Sequence, residues 1–363
     1  MLNVIDLFSG VGGLALGFEN EGDFNTLLAN DVDKDMCAAY TKNFPNNNMI
    51  CDSIAHLNFK KIIGRHKVDI VVGGPPCQAY STSGKRLLDD PRASLYQQYY
   101  RVLNETNPKI FIFENVKGIL SMGNGRLFDE IKSLFGTLGY KIAWSLMNAA
   151  EYGVPQERQR VIIVGTRDGI LFEFPNPTHA LEIDNSNDLF KNLLPPAITL
   201  CDAIGDLPLI SAGSTGFQYA SPPQNLYQKL MRENAPKKIM DHNSANHGEK
   251  LLTIIKNVPE GGIKKDIPIE FRPPKGFPNS YGRLFWNKPS TTITRNLGTP
   301  SSARCIHPKC DRALTTREGA RIQSFPDSFI FFGSRSKKNL QIGNAVPPLL
   351  GKALAAQIKK SLK

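Results

Sequence analysis

Short apolar runs alternate with helix-forming stretches along the first half of the chain, and this alternation constrains the fold more than any other feature. The runs are rich in β-branched and aromatic residues and cover 3–8, 26–29, 49–52, 68–72, 109–113, 140–147 and 160–164. Helical patterns lie between them, for example at 14–20, 94–105 and 125–138. Strands that alternate with helices form βαβ units, so we predict an α/β fold with a doubly wound, mainly parallel, Rossmann-like sheet.

The second half of the chain, after about Thr178, has a different texture. Glycine, proline, asparagine and serine crowd residues 194–300, and few periodic segments interrupt them. Aromatic residues still occur throughout this region, which favours a folded domain over a linker. A chain of 363 residues also suggests about two domains. We therefore predict a second, smaller, loop-rich domain over 179–334, and a first domain formed by 1–178 together with 335–363.

Charge is divided unevenly between the two halves. Residues 1–178 hold 18 Lys and Arg against 19 Asp and Glu, whereas 179–363 hold 26 against 14, within a net charge of +11. A basic half joined to a neutral half indicates that one region contacts a polyanion while the other carries the chemistry. Solubility alone does not require such segregation, so the pattern favours a nucleic acid as partner.

Other classes of protein are not expected from this sequence. No stretch approaches the ~18 consecutive apolar residues of a membrane helix. The N-terminus lacks the basic region and apolar core of a signal peptide. Six scattered cysteines fit a reduced compartment, so we expect a cytoplasmic protein with no membrane contact. Cys305 and Cys310 have no second Cys or His pair nearby to complete four ligands, and we expect no metal site.

A glycine-rich turn follows the first predicted strand. Residues 6–13 read Asp-Leu-Phe-Ser-Gly-Val-Gly-Gly and open a predicted helix. Glycines let a ligand approach the backbone, and the start of the helix offers free N–H groups. Asp31, 21 residues after Gly10, stands where an acidic side chain would bind ribose hydroxyls. The pattern indicates an adenosine-type cofactor, with a tight structural turn as the alternative.

Further loops place reactive side chains at the same sheet edge. Residues 74–78, Gly-Pro-Pro-Cys-Gln, follow a strand, and the two prolines fix Cys77 where open α/β proteins bind ligands, as a candidate nucleophile. Glu114 comes directly after an apolar strand and could act there as a general acid, or as a charge at a helix N-terminus. Arg158 and Arg160 alternate, so both should project to one side, towards a phosphate or carbonyl oxygen or simply into solvent.

Six blocks in this order resemble the DNA (cytosine-5) methyltransferase family, of the bacterial restriction–modification type. The blocks bracket almost the whole chain, at 6–13, 74–78, 114–116, 156–160, 312–327 and 341–348. The resemblance implies a Rossmann-like domain that binds S-adenosylmethionine, joined to a target-recognition domain over 179–334.

The resemblance also assigns roles to matching positions. It implies Cys77 as the nucleophile that adds to C6 of a flipped-out cytosine, Glu114 as the partner of the ring, and Arg158 and Arg160 as supporting residues. The methyl group then passes to C5. The implied cofactor-binding positions are Phe8, Ser9, Gly10, Gly12, Gly13, Asp31, Val32, Asp52, Leu95, Asn344 and Val346. At two of them the family usually has Glu and a larger apolar residue, where this chain has Asp31 and Val32.

The resemblance implies double-stranded DNA as the substrate. The family reads its target sequence with the region between the fourth and fifth blocks. The expected DNA-contacting residues are Gln78, Ser81, Arg283, Thr292, Ile293, Arg295 and Arg304. Each arginine could read guanine in the major groove or contact a phosphate. We expect a monomer without an obligate protein partner, accompanied by a restriction endonuclease acting on the same site.

Two other functions compete with this interpretation. One is RNA methylation, since a tRNA-methylating branch shares the catalytic motifs, although its Cys-Phe-Thr tripeptide does not occur in the recognition region. The other is a catalytically silent DNA-binding protein, which would have lost Cys77 or Glu114; both are present.

Overall fold

The computed structural model describes residues 1–76, 95–181, 194–274 and 276–362. Three residues of the expected site lie outside the described residues: Cys77, Gln78 and Ser81. Within the described ranges, no helix is long and apolar enough to cross a membrane.

The secondary structure follows the predicted alternation closely. The strands are β1 (Leu2–Leu7), β2 (Phe24–Asp31), β3 (Met49–Cys51), β4 (Ile70–Gly73), β5 (Ile110–Val116), β6 (Lys141–Asn148), β7 (Gln156–Glu157), β8 (Gln159–Thr166), β9 (Gly282–Arg283), β10 (Ser290–Thr291) and β11 (Arg304–Ile306). The α-helices are α1 (Gly13–Glu21), α2 (Lys34–Asn43), α3 (Phe59–Ile63), α4 (Leu95–Thr106), α5 (Arg126–Gly136), α6 (Leu200–Ile204), α7 (Leu226–Met231), α8 (Glu249–Lys256), α9 (Thr316–Ile322), α10 (Arg335–Asn344) and α11 (Pro348–Ser361). Short 3₁₀ helices cover Ile54–His56, Lys117–Gly125, Ala149–Tyr152 and Lys264–Asp266.

A seven-stranded sheet of order β3-β2-β1-β4-β5-β8-β6 dominates the described residues. Strands β1 to β5 pair in parallel, whereas β8 runs antiparallel to both β5 and β6. The chain moves outward from β1 to β3 and then places β4 on the other side of β1. Ligands of open α/β sheets bind at the carboxyl ends of the strands where the order reverses in this way. The predicted α/β class with a mainly parallel sheet is confirmed.

Helices cover this sheet because its strands alternate apolar side chains to both faces. On one face, side chains of β1, β4 and β5 join those of α4 and α5 in a single apolar cluster. The rings of Tyr99, Phe111 and Phe135 pack edge to face or tilted within it, at centroid separations of 5.0–6.1 Å. On α1, Leu14 lies close to α11, since a Cβ on Gly351 would stand 3.4 Å from its Cα.

The chain divides into two compact units. The first consists of Met1–Asn148, Gln159–Asn176 and Leu350–Lys363, and contains the seven-stranded sheet. The second consists of Ala149–Arg158 and Pro177–Leu349. Its described part has short helices, and its strands occur as two-stranded pairs.

The second unit is held together by buried ion pairs as well as by apolar contacts. Arg312 binds Glu318 through both carboxylate oxygens, at 2.8 and 2.7 Å. Arg321 donates to Asp206 and Asp327, with its shortest contact at 2.6 Å. All five side chains are buried. Removing one partner of such a pair strongly destabilises a fold, because the other charge is left unpaired.

His307 is buried beside this network in a neutral form. Its Nδ1 accepts the backbone N–H groups of Lys309 and Cys310, at 3.0 and 3.1 Å. Its Nε2 lies 3.7 Å from Glu318 Oε1. Burial lowers the pKa of His307 to about 4 despite the opposing charge of Glu318. A proton on Nδ1 would face two other donors, which explains why the ring stays neutral.

Candidate active site

The glycine-rich turn 8–13 lies at the carboxyl end of β1 and is fastened to the end of β2. Phe8, Gly10 and Gly12 have φ of 53, 54 and 90°, in the left-handed region. A Cβ on Gly12 would stand 2.3 Å from the ring of Phe44, so this position requires glycine. The N–H of Gly10 donates to Asp31 Oδ2 at 2.9 Å. The turn is therefore shaped by its glycines and by Asp31 together.

Three of the expected adenosine-binding residues lie at the ends of β2 and β3. Asp31 also accepts the N–H of Asp33 at 2.9 Å. Burial raises the pKa of Asp31, while these hydrogen bonds oppose the shift. The next side chain, Val32, is 69% exposed although it is apolar. Asp52 is exposed and bonds to His56 Nδ1 at 3.0 Å, a contact that lowers the pKa of Asp52.

Glu114 and Arg160 form an ion pair on one face of the sheet. Strand β5 continues through Val116, so Glu114 lies within the strand. The sequence had led us to expect Glu114 directly after the strand. The antiparallel neighbour β8 pairs Ile162 with Glu114 and Arg160 with Val116, which puts Arg160 diagonally across from Glu114. Arg160 Nε is 2.9 Å from Glu114 Oε1, with both side chains only 12–13% exposed. Burial lowers the pKa of Arg160, and Glu114 opposes that shift.

The loop that leads to Cys77 passes close to the Glu114 carboxyl group. A Cβ on Gly74 would stand 2.6 Å from Glu114 Oε2, so the glycine leaves room for the carboxyl group. Asn115 Nδ2 donates to the carbonyl of Pro75 at 3.1 Å, which fixes the loop to β5. Cys77 itself lies outside the described residues, two positions after Pro75.

The side chain of Arg158 is occupied by backbone carbonyl groups. Its guanidinium group donates to the carbonyls of Ile293, Gly343 and Ala345, at 3.1, 2.9 and 3.1 Å. The side chain is 1% exposed. Arg158 therefore ties together backbone segments of the second unit, whereas Arg160 faces Glu114 in the first.

Gln156 also holds the backbone segment that contains Ile293. Its Oε1 accepts the N–H of Ile293 at 2.9 Å, and its Nε2 donates to Gln323 Oε1 at 2.6 Å. A Cβ on Gly343 would stand 2.3 Å from the backbone nitrogen of Arg295, so glycine allows close backbone contact there. We call Gln156, Arg158, Gln323 and Gly343 the recognition-loop clamp, because together they hold residues 291–295.

The expected DNA-contacting residues differ sharply in their surroundings. Thr292 and Arg295 are exposed, and Ile293 is buried on the recognition-loop clamp. Arg283 is 6% exposed and donates to the carbonyls of Val258, Ile255, His307 and Cys310 and to Asp311. Arg304 is half-buried and bonds to the carbonyl of Gly261. The guanidinium group of Arg283 is used inside the unit, so Arg283 is not placed as we expected for a contact to a base or a phosphate.

The remaining expected residues are divided between the two units. Leu95 begins α4 and packs, half-buried, against the apolar cluster of the first unit. Asn344, exposed at the end of α10, and Val346 belong to the second unit. Among the side chains that the structure describes, no three His, Cys, Asp or Glu residues converge as metal ligands would.

One residue that sequence reasoning did not single out by itself is Asp6. It lies in β1 and is 1% exposed, and neither carboxyl oxygen has a hydrogen-bond partner among the described residues. Burial raises the pKa of Asp6 well above its ordinary value, with Asp31 adding to the shift. The signal was available in the sequence, since an acidic residue interrupts the apolar strand Val-Ile-Asp-Leu.

Comparison with known proteins identifies the class of protein that this fold and site define. A family model for C-5 cytosine-specific DNA methylases matches residues 2–360, and the chain belongs to that family. Two curated relatives are the type II methyltransferases M1.HphI of Haemophilus parahaemolyticus and M.AgeI of Thalassovita gelatinovora. The first is 36% identical over 99% of this chain and 87% of the relative, the second 34% identical over 99% and 100%.

A solved structure agrees with these relatives. A prophage-encoded E. coli protein described as a DNA modification methyltransferase superposes with a TM-score of 0.77 and 27% identity, covering 100% of this chain and 99% of that one. The chain is a C-5 cytosine DNA methyltransferase of the restriction–modification type. The comparisons therefore favour DNA methylation over RNA methylation and over a catalytically silent DNA-binding protein.

Proposed function

We propose that this protein transfers a methyl group from S-adenosylmethionine to C5 of a cytosine that is flipped out of a specific double-stranded DNA sequence. The observation that carries the proposal is the pairing of Glu114 with Arg160 beside the loop that leads to Cys77. A half-buried carboxyl group held by a guanidinium group can act as a general acid and neutralise negative charge that develops on a cytosine ring.

The turn 8–13 and the ends of β2 and β3 fit an adenosine-containing methyl donor. The turn leaves its backbone open to close approach, and Asp31 and Asp52 offer carboxylates for hydroxyl and amino groups. The exposed Val32 offers an apolar surface for a purine ring. When bound, S-adenosylmethionine supplies the electrophilic methyl group. Phe8, Ser9, Gly13, Leu95, Asn344 and Val346 complete the proposed cofactor-binding set.

Cytosine needs activation because C5 is a poor nucleophile. We assign Cys77 as the thiolate that adds to C6, so that the ring becomes electron-rich at C5. Negative charge then grows on N3 and O2. Glu114 can donate a proton from Oε2 to N3, since Oε1 is held by Arg160 Nε. Arg160 supplies positive charge near O2. Loss of the C5 proton to water after methylation expels Cys77 as the thiolate, and N3 returns its proton to Glu114.

The cytosine must leave the duplex for C6 to be reached. Unstacking and unpairing cost a few kcal/mol. The residues of 179–363, with 26 basic side chains against 14 acidic ones, offer phosphate contacts that offset this cost. Thr292 and Arg295, exposed on the loop held by the recognition-loop clamp, are proposed to face the target site, and we propose Arg304 as a phosphate contact.

Methylation of one short sequence would protect DNA from an endonuclease that cuts the same sequence, which is the biological role we propose. The reaction is tested with DNA whose cytosines carry tritium at C5. Wild-type protein supplied with S-adenosylmethionine should release tritium into water, and E114Q should lose most of this release. The matched control E173Q changes an exposed carboxylate elsewhere and should behave as wild type. Equal release by E114Q and E173Q would remove Glu114 from the mechanism.

A further inference from the structure

Two free cysteines lie together next to the proposed adenosine site. Cys37 is buried on α2, and Cys51 is exposed at the end of β3. Cys51 is the direct neighbour of Asp31 across the β2–β3 pair, so their side chains share one face of the sheet. The thiol of Cys37 contacts the carbonyl of the same Asp31 at 3.5 Å. Both cysteines therefore lie beside the same residue, Asp31, at the end of β2.

We propose that Cys37 and Cys51 are a reversible oxidative modification site, which forms a disulfide under peroxide and lowers the affinity for the methyl donor. The second part rests on the proposed function, because it takes the ends of β2 and β3 as the adenosine site. The first part depends on the thiols alone.

The order of events follows from exposure. The exposed Cys51 meets hydrogen peroxide first: its sulphur is oxidised to a sulfenic acid, the O–O bond breaks and one water leaves. The buried Cys37 then attacks the sulfenic sulphur, the S–S bond forms, and the hydroxyl group leaves with the thiol proton as a second water. In sum, two thiols and one peroxide give one disulfide and two waters. Burial raises the pKa of Cys37, which suits the second, slower partner.

The consequence for binding follows from position. A disulfide holds its two sulphur atoms about 2.05 Å apart, closer than two thiols in contact. Forming it draws α2 against the end of β3. Asp31 lies between the two cysteines through its carbonyl and its strand pairing, and Asp52 directly follows Cys51. Both proposed adenosine carboxylates are thus joined to the segments that would move.

The covalent step is tested by peptide mapping of the full chain after treatment with hydrogen peroxide. Trypsin separates the two thiols into peptides 35–42 and 43–60. We expect these two peptides to be linked, at the summed mass minus two hydrogens, and to separate after dithiothreitol. C51S should give no link, and C37A should give none either, whereas C201S should link as wild type does. If wild type shows only sulfenic or higher oxides of Cys51, or no linked peptides, the proposal is overturned.

The effect on binding is measured by titration calorimetry with S-adenosylmethionine, in a C77S background so that oxidation of the proposed nucleophile does not contribute. Linked protein should bind about tenfold more weakly than reduced protein, and dithiothreitol should restore the affinity. Peroxide-treated C51S/C77S should keep the affinity of its reduced form. Equal affinity of the linked and reduced proteins would refute the regulatory role. Failure of the reduced protein to bind would instead contradict the proposed cofactor, while the peptide mapping still decides on the disulfide.

Discussion

Replacing Gly74 with alanine should disable the Glu114 carboxyl group without unfolding the protein. The added Cβ would stand 2.6 Å from Glu114 Oε2, against the 3.4 Å at which ordinary contact begins, so the carboxyl group must retreat by about 0.8 Å. Because Oε2 ends a flexible side chain, it can move, but it then leaves the position set by Arg160. A displacement of ~1 Å in a catalytic group can cost ~100-fold in rate.

We therefore expect the kcat of G74A to fall by ~10–100-fold, or ~1.4–2.7 kcal/mol of transition-state stabilisation. The assay is transfer of labelled methyl groups to unmethylated genomic DNA at saturating concentrations, together with thermal unfolding and calorimetric binding of S-adenosylmethionine. Binding should stay near that of wild type. The matched control G136A adds a Cβ at the end of α5 where nothing lies within 4 Å, and should retain full activity. A kcat for G74A within twofold of that of G136A would refute this reasoning.

Three further predictions concern the second unit. R158K should raise amide hydrogen exchange across 291–297 and destabilise the unit by ~2–4 kcal/mol, because one ammonium group cannot satisfy three separated carbonyls. Unchanged exchange would contradict the recognition-loop clamp. Below pH 6.5 the unfolded chain protonates His307, whereas the folded chain does not until about pH 4. The free energy of unfolding should therefore fall, as the pH is lowered through this range, by at most ~1.4 kcal/mol per pH unit. H307N should flatten this slope, and an identical slope in H307N would exclude His307 as its cause. If Arg295 contacts a phosphate, R295A should lower the log–log salt slope of DNA binding by about one; if Arg295 reads guanine, R295A should relax specificity at one base pair. The control K60A should do neither. No change in R295A would remove Arg295 from the proposed interface.

Much of the first unit could be predicted from the sequence because its fold depends on local periodicity. The runs 3–8 and 68–72 became β1 and β4, and the glycine-rich turn stands between β1 and α1 as expected. Glu114 was placed at the right sheet edge, although its strand runs three residues further than predicted. Pairing with the antiparallel β8 extends it, and strand pairing between distant segments is not written in either run alone.

The arginines show where the sequence stops being informative. Arg158, Arg283 and Arg295 all stand in basic or motif-bearing segments, yet the first two are buried among backbone carbonyls and the third is exposed. A guanidinium group suits a phosphate, a base edge and a cluster of carbonyls equally well. Only the tertiary path of the loop-rich second unit decides among them, and that path depends on contacts more than 100 residues apart, such as Arg158 with Ile293.

We propose that Cys77 adds covalently to the target cytosine while Glu114 and Arg160 support the ring, and one trapping measurement tests this most directly. Duplex DNA that carries 5-fluorocytosine in place of cytosine blocks the final elimination, because fluorine replaces the departing proton. With S-adenosylmethionine present, we predict a protein–DNA complex that survives denaturing electrophoresis, with the nucleotide attached to Cys77 in the digested protein. An enzyme that methylates ordinary DNA but forms no such complex, or forms it at another residue, would contradict the account.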